Sequence, residues 1–254
     1  MSRTAGWRAM FAAERLKMKG SLALALAVAA PAAPAFLSLL VGLRNGHQLP
    51  AGVNPWNSTA SSAWEIWGLL MLPFLVALQV ALMAHLESAN SQWKHLQALP
   101  ISRARLYLVK LGVAAMLLAL STLMLLVYLL LSGALLGLVK PEIGLLRMAP
   151  EWGRFFGMAL RPLLAVVFLL AIHQWISSRW SSLPVAMGIG VAGVSGVLIV
   201  TNSPLGGRLF PWSLPFRALQ AGAPDLTFIL VYAAAGCLAV TMLGAWEASR
   251  RELE

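Results

Sequence analysis

Charged residues and cysteine are both scarce in this chain of 254 residues. Only 11% of the residues are charged, whereas 59% are hydrophobic. An average soluble domain has about 25% charged residues, so this balance excludes an ordinary soluble domain and is typical of an integral membrane protein. Cys237 is the single cysteine and lies in an apolar stretch. That placement excludes a disulfide framework and a thiolate metal site.

Several motifs that would indicate enzyme chemistry are also missing. The sequence contains no HExxH, no CxxC and no GxxxxGK[ST] phosphate loop, so it offers no metal or nucleotide site of those kinds. "GIGVAG", residues 188–193, matches GxGxxG. A dinucleotide fingerprint needs a preceding strand and a soluble helix, and here the match lies in an apolar stretch. We therefore expect no metal and no cofactor in this chain, and any ATP must be bound by another protein.

Long apolar stretches are abundant. A bilayer is crossed by about 20 helical residues, and six stretches satisfy this requirement: 21–43, 64–86, 106–139, 158–176, 183–201 and 226–246. The third is long enough to tilt or to project from the membrane. Pro31 and Pro34 predict a bend in the first. The predicted fold class is an all-α polytopic membrane protein. No internal repeat or low-complexity linker is visible, so residues 1–254 are predicted to form one domain.

Positive charge is distributed unequally between the connections. With the N-terminus inside, twelve Lys and Arg residues lie on the inner side and seven on the outer side. The positive-inside rule then predicts that both termini and the 87–110 connection are cytoplasmic. The same rule accounts for the net charge of +10 without a nucleic acid partner.

Residues 4–19 predict an amphipathic helix at the cytoplasmic interface. At 100° per residue, Trp7, Phe11 and Met18 share one apolar stripe, and Glu14 falls within it. A carboxylate in this position indicates either a protein partner or simple snorkelling to the headgroups.

Small residues at four-residue spacing predict close helix packing. One such face contains Gly188, Ala192 and Gly196 in the fifth apolar stretch, where it could serve packing within one protomer or between two copies. Gly133 and Gly137 give a second face in the third stretch.

Polar residues at membrane depth are functional candidates by default. Gln79, His173 and Gln174 have this position. Hydrogen bonding between helices is the favoured interpretation, and a place on a substrate path is the alternative. The outer connection 202–225 combines four prolines with Phe210, Trp212 and Phe216. This composition predicts short helices that re-enter the outer interface.

The connection "ESANSQWKHLQALPISRARLYLVK", residues 87–110, is the most informative stretch. A short helix over 87–99 presents Trp93 and Leu96 as apolar contacts, and Pro100 ends it. Ser102 is then predicted to cap the next helix. The resulting corner would be rigid, so a force on the short helix would pass into the third apolar stretch.

These residues resemble the first cytoplasmic loop of ABC-2-type permeases, the membrane subunits of ATP-binding-cassette exporters. The likeness rests on Glu87, the turn at 99–103 and Lys110. "FAAERLKMKGS" is similar to the interfacial helix of that family, with Glu14 and Lys17 on its E-x-x-K pattern. Short permeases of bacteriocin-immunity and bacitracin-export type are especially similar in length and layout.

The resemblance implies roles for particular residues. Those coupled to an ATPase would be Glu87, Trp93, Lys94, Leu96, Pro100 and Arg103. The interfacial helix would use Trp7, Phe11, Glu14 and Lys17.

The resemblance also implies partners and a location. Two separate ATPase subunits would bind ATP and Mg, and a second permease copy or a relative would pair through the first and fifth spans. The chain would reside in the bacterial cytoplasmic membrane. Because the spans carry few charges, we expect a hydrophobic or amphipathic cargo such as a peptide, an antibiotic or a lipid. The alternative is a non-transporting scaffold or sensor subunit. A membrane enzyme is disfavoured because convergent catalytic polar residues are missing.

Overall fold

The computed structural model describes residues 6–45, 53–89, 102–180, 182–200, 203 and 206–250. Every regular element in these ranges is helical, and none of them contains a strand. Six helices are long and apolar enough to cross a membrane. The predicted all-α fold with six spans is thus confirmed, and the chain is a multi-pass membrane protein.

The helices follow one another along the chain with short connections. The N-terminal helix is Trp7–Lys17. The six spans, numbered in order, are Leu22–Arg44, Pro55–Leu86, Arg103–Val139, Trp152–Arg179, Leu183–Val200 and Ala223–Arg250. The last helix of span 2 continues to Ala89. Four short helices lie in the connections after spans 3 and 5: Pro141–Ile143, Gly206–Leu209, Pro211–Ser213 and Leu214–Gln220.

Local sequence explains where the chain turns and where the spans bend. Gly20 has φ of 72°, a left-handed conformation that glycine adopts without strain, and Ser21 Oγ then accepts a hydrogen bond from Leu24 N at 3.3 Å. Span 1 is interrupted between Ala29 and Ala32, at the predicted proline bend. Span 4 is interrupted at Val166, four residues after Pro162. Proline removes a backbone donor and disturbs the preceding helical turn.

Two spans begin at least six residues earlier than their hydropathy predicts. Span 2 begins at Pro55 instead of residue 64, because Asn54 Oδ1 caps the helix by accepting from Trp56 N at 3.0 Å. Asn57 in its first turn donates to Glu151 at 2.8 Å. These polar contacts satisfy an end of the helix that hydropathy alone does not detect. Span 4 begins at Trp152 instead of residue 158.

Spans 2 and 3 form the centre of the bundle. In their most apolar windows, 67% and 50% of the residues are buried, against 11% for span 6. The main core cluster accordingly includes Trp64, Trp67, Leu117 and Leu125. Spans 1, 5 and 6 are peripheral and leave apolar surface for lipid or for another chain.

Candidate functional site

The end of span 2 and the start of span 3 flank the predicted coupling helix. Glu87 lies in the last turns of the helix that ends at Ala89. Trp93, Lys94, Leu96 and Pro100 lie outside the described residues, so their coupling role stays a prediction. Span 3 begins at Arg103.

Ser102 occupies the N-cap position of span 3 as predicted, with extended backbone geometry. Its side chain makes no capping hydrogen bond. The predicted position of the cap is therefore confirmed, whereas the predicted capping hydrogen bond of the Ser102 hydroxyl is wrong. The backbone carbonyl of Ser102 does accept from Leu106 N at 3.1 Å, as the first intrahelical bond requires.

The N-terminal helix packs against the beginning of span 3. Its buried residues are Met10 and Glu14, followed by Met18 just after the helix. Phe11 is half-buried and lies beside Gly112 of span 3, whereas Trp7 is exposed under the guanidinium of Arg105. The buried stripe thus differs from the predicted one, because Met10 is buried whereas Trp7 is exposed.

Glu14 lies in this buried stripe, and only 4% of the residue is exposed. Lys17 Nζ lies 2.5 Å from the carboxylate, one helical turn away. A carboxylate removed from water needs such a partner. The E-x-x-K pair thus neutralises a charge that is buried against span 3.

The three polar residues of the possible substrate path are all enclosed in the protomer. Gln79 is 0% exposed and donates to Ser121 Oγ of span 3 at 3.4 Å. His173 is 0% exposed and Gln174 is 5% exposed. The contact of Gln79 favours the helix-packing interpretation for that residue. A place on a substrate path stays a prediction for all three.

His173 contacts a segment after span 5 that is distant in sequence. Its ring lies 5.7 Å from the ring of Trp212, in an edge-to-face arrangement. The imidazole also lies beside Gly190 of span 5. Three parts of the chain therefore meet at this histidine.

Residues 206–222, which we call the outer segment because the sequence predicts an outer location, fold back along span 5. Phe210 packs on Gly196, and the indole of Trp212 covers Gly193. Gly193 lies seven residues before Val200, which corresponds to about 10 Å along the helix axis. The segment thus returns along span 5, and its re-entry into the outer membrane interface stays a prediction.

The second half of the outer segment contains the helix Leu214–Gln220. It packs on Gly68, which belongs to a π-helical turn at Trp67–Met71 of span 2. A Cβ atom at residue 68 would lie 3.3 Å from the carbonyl oxygen of Pro215. Glycine at this position allows the close approach. Sequence analysis did not identify Gly68.

The glycines of span 5 lie on two different faces of the helix. Gly190 and Gly193 face the protomer, and Gly196 contacts Phe210. Gly188 has open space around it and Ala192 is exposed. The face with Gly188 and Ala192 is therefore available to a second copy, and its use in a dimer stays a prediction.

The small-residue face of span 3 serves packing within the protomer. Trp56 of span 2 covers Gly133, and Leu145 and Leu146 of the connection between spans 3 and 4 cover Gly137. The Trp56 indole nitrogen donates to the carbonyl of Met148 at 2.8 Å. This contact holds the connection between spans 3 and 4 over the start of span 2.

The part of the chain that the structure describes contains no group of three or more His, Cys, Asp or Glu residues placed to hold a metal ion.

Comparison with known proteins identifies one family. The family model described as "ABC-2 family transporter protein" matches residues 10–193. The match begins in the N-terminal helix and ends in span 5, so it includes the 87–110 connection. No curated protein and no solved structure gives a significant match.

Proposed function

The chain belongs to the ABC-2 family of transporter proteins, and from this premise we propose that it is the membrane subunit of an ATP-binding-cassette exporter. It contains no phosphate loop, so ATP and Mg would be bound by two copies of a separate ATPase subunit. The family match over residues 10–193 carries this proposal.

The contact between the N-terminal helix and span 3 supports a docking surface for that ATPase. Phe11 lies beside Gly112, and Arg105 lies over Trp7 with 6.0 Å between the guanidinium carbon and the ring centroid. Residues 90–101, which lie outside the described residues, join the helix that ends at Ala89 to Ser102 at the start of span 3. A subunit that holds the connection would therefore act on span 2, on span 3 and on the helix packed against it. ATP-driven closure of the ATPase pair would then move these elements as a rigid body.

The cargo we propose is hydrophobic or amphipathic and carries no concentrated charge. The buried polar side chains of the described spans are neutral, among them Gln79, Ser121 and Gln174. The buried charged residue, Glu14, belongs to the N-terminal helix instead. A charged cargo would need compensating charges at membrane depth. A peptide, an antibiotic or a lipid meets this requirement, as in the bacteriocin-immunity and bacitracin-export permeases that the sequence resembles.

We further propose a place in the bacterial cytoplasmic membrane with both termini inside, together with pairing to a second copy or a related permease. The distribution of Lys and Arg supports this orientation. The open face at Gly188 and Ala192 supports the pairing.

Affinity purification from the native host, followed by reconstitution, tests the proposal. We expect an ATP-binding subunit to co-purify and the reconstituted complex to hydrolyse ATP, while the isolated chain does not. ATP hydrolysis by the isolated chain would contradict the proposal. A chain that purifies without an ATPase would support the scaffold or sensor alternative instead.

A further inference from the structure

Six side chains lie where spans 4 and 6 end, and we call them the Trp–Arg cluster. The cluster consists of Trp175, Arg179, Trp180, Trp246, Glu247 and Arg250. It lies at the end of the bundle that also carries the N-terminal helix, because Tyr107, near the start of span 3, packs on Gly244 of span 6.

Glu247 organises the cluster. One of its carboxylate oxygens accepts from Arg179 Nη1 at 2.8 Å, and the other accepts from Trp175 Nε1 at 2.8 Å. The side chain of Glu247 is 23% exposed, against 46% for Arg179. The carboxylate is thus turned inward and the guanidinium remains accessible.

Stacking holds both guanidinium groups at the surface. Arg179 lies 5.5 Å from the ring centroid of Trp180, and Arg250 lies 3.9 Å from that of Trp246. Cation–π contact of this kind orients a guanidinium without neutralising it, and Arg179 is in addition paired with Glu247. The two Arg and one Glu leave the cluster with a net charge of +1.

Glu247 relates the two arginines to the same end of spans 4 and 6. It bonds to Arg179, and Arg250 follows it by three residues in span 6, a spacing at which helical residues are neighbours. An anion that reached both arginines would be bound from two sides. Guanidinium matches a phosphate group with paired hydrogen bonds.

The surface next to the cluster is apolar. Trp180 and Trp246 are 46% and 52% exposed, and Met242 and Leu243, one turn back along span 6, are 68% and 46% exposed. Indole rings favour the headgroup level of a bilayer, and exposed aliphatic side chains below them suit acyl chains. A soluble phosphate would use only the arginines, whereas a phospholipid would use both kinds of surface.

We propose that the Trp–Arg cluster binds an anionic phospholipid, with Arg179 and Arg250 donating to its phosphate and with Trp180 and Trp246 beside its glycerol region. The lipid joins span 6 to span 4. Spans 4 and 6 already pack against each other, and the lipid would add a bridge at their ends.

Arg250→Gln tests this site, because the substitution removes a charge that is stacked on Trp246 and leaves the Arg179–Glu247 pair intact. Arg154→Gln is the matched control, since Arg154 is also exposed but lies at the opposite end of span 4. The proteins are compared in nanodiscs of phosphatidylcholine with and without phosphatidylglycerol. The two measurements are the thermal midpoint and the number of phosphatidylglycerol molecules retained in native mass spectra.

We expect phosphatidylglycerol to raise the midpoint of the wild type and of Arg154→Gln. For Arg250→Gln we expect about tenfold weaker lipid retention, which corresponds to one lost charge-assisted hydrogen bond. If Arg250→Gln does not fold, Arg250→Lys takes its place, because lysine keeps the charge and loses the paired donors.

Any of three results would overturn the proposal. Arg250→Gln could retain as much phosphatidylglycerol as the wild type. Phosphatidylcholine alone, or inorganic phosphate, could raise the thermal midpoint of the wild type as much as phosphatidylglycerol does. The measurement uses the isolated chain. A failed transport assay would therefore leave its outcome unaffected.

Discussion

The indole of Trp212 lies directly over Gly193, at a distance where a Cβ atom on residue 193 would overlap the ring. Trp212 belongs to the outer segment and Gly193 to span 5, so this contact fixes how deeply the segment returns into the bundle. The stacked ring of Phe210, with its centroid 5.3 Å from that of Trp212, extends the contact to Gly196.

Gly193→Ala tests this relationship. The added methyl group would displace Trp212 from His173, and overpacking of this kind costs about 1–3 kcal/mol. Thermal unfolding in nanodiscs gives the measurement. Gly188→Ala in the same helix is the control and should change stability by less than about 0.5 kcal/mol, because residue 188 has open space around it. In a double mutant with Trp212→Ala the cost of Gly193→Ala should disappear, and purely additive effects would contradict the contact.

Gly188→Leu should separate two paired copies while each copy remains folded, because residue 188 faces away from its own protomer. In a Cys237→Ala background, Ala192→Cys should form a disulfide between copies. Val231→Cys, on the exposed surface of span 6, is the control and should not. If Ala192→Cys remains monomeric at every protein concentration, span 5 faces lipid.

Trp93→Ala and Leu96→Asp should weaken binding of the ATPase subunit. Loss of a buried aromatic anchor costs about 2 kcal/mol, or roughly 30-fold in affinity. Co-purification of the ATPase and cargo transport are the two measurements. Trp152→Ala, on an exposed tryptophan at the opposite end of the bundle, should change neither.

Pro100→Ala should have a subtler effect on the transporter than Trp93→Ala or Leu96→Asp. The subunits should still bind, but a longer helix at a different angle would transmit motion poorly. Transport should therefore fall while ATPase co-purification is retained. Normal transport by Trp93→Ala, Leu96→Asp and Pro100→Ala would identify residues 87–99 as a plain linker.

Lys17→Met should loosen the N-terminal helix from span 3. The substitution leaves the carboxylate of Glu14 buried without its 2.5 Å partner, which should cost about 1–3 kcal/mol. Limited proteolysis at the N-terminal helix measures the effect. Arg15→Met, on the exposed side of the helix, is the control. Adding Glu14→Gln to Lys17→Met should restore protection, and a double mutant as labile as Lys17→Met would contradict the ion-pair argument.

Hydropathy was sufficient to predict the six spans, because a bilayer demands a fixed length of apolar helix whatever that helix packs against. The helical N-terminus and the proline bend of span 1 are equally local features. They follow from the composition of adjacent residues, and the structure confirms both. Hydropathy did not predict the polar first turns of span 2, because hydrogen bonds to residues 149 and 151 satisfy their polar side chains.

Tertiary structure decided which face of each helix is used. "GIGVAG" presents glycines on two sides of span 5, and the pattern alone gives no preference between them. Trp212 and His173 select Gly193 and Gly190 for the interior, which leaves Gly188 outside. The bond between Arg179 and Glu247 joins residues 68 positions apart. Such choices depend on which helices are neighbours, and neighbours are fixed only when all the spans pack together.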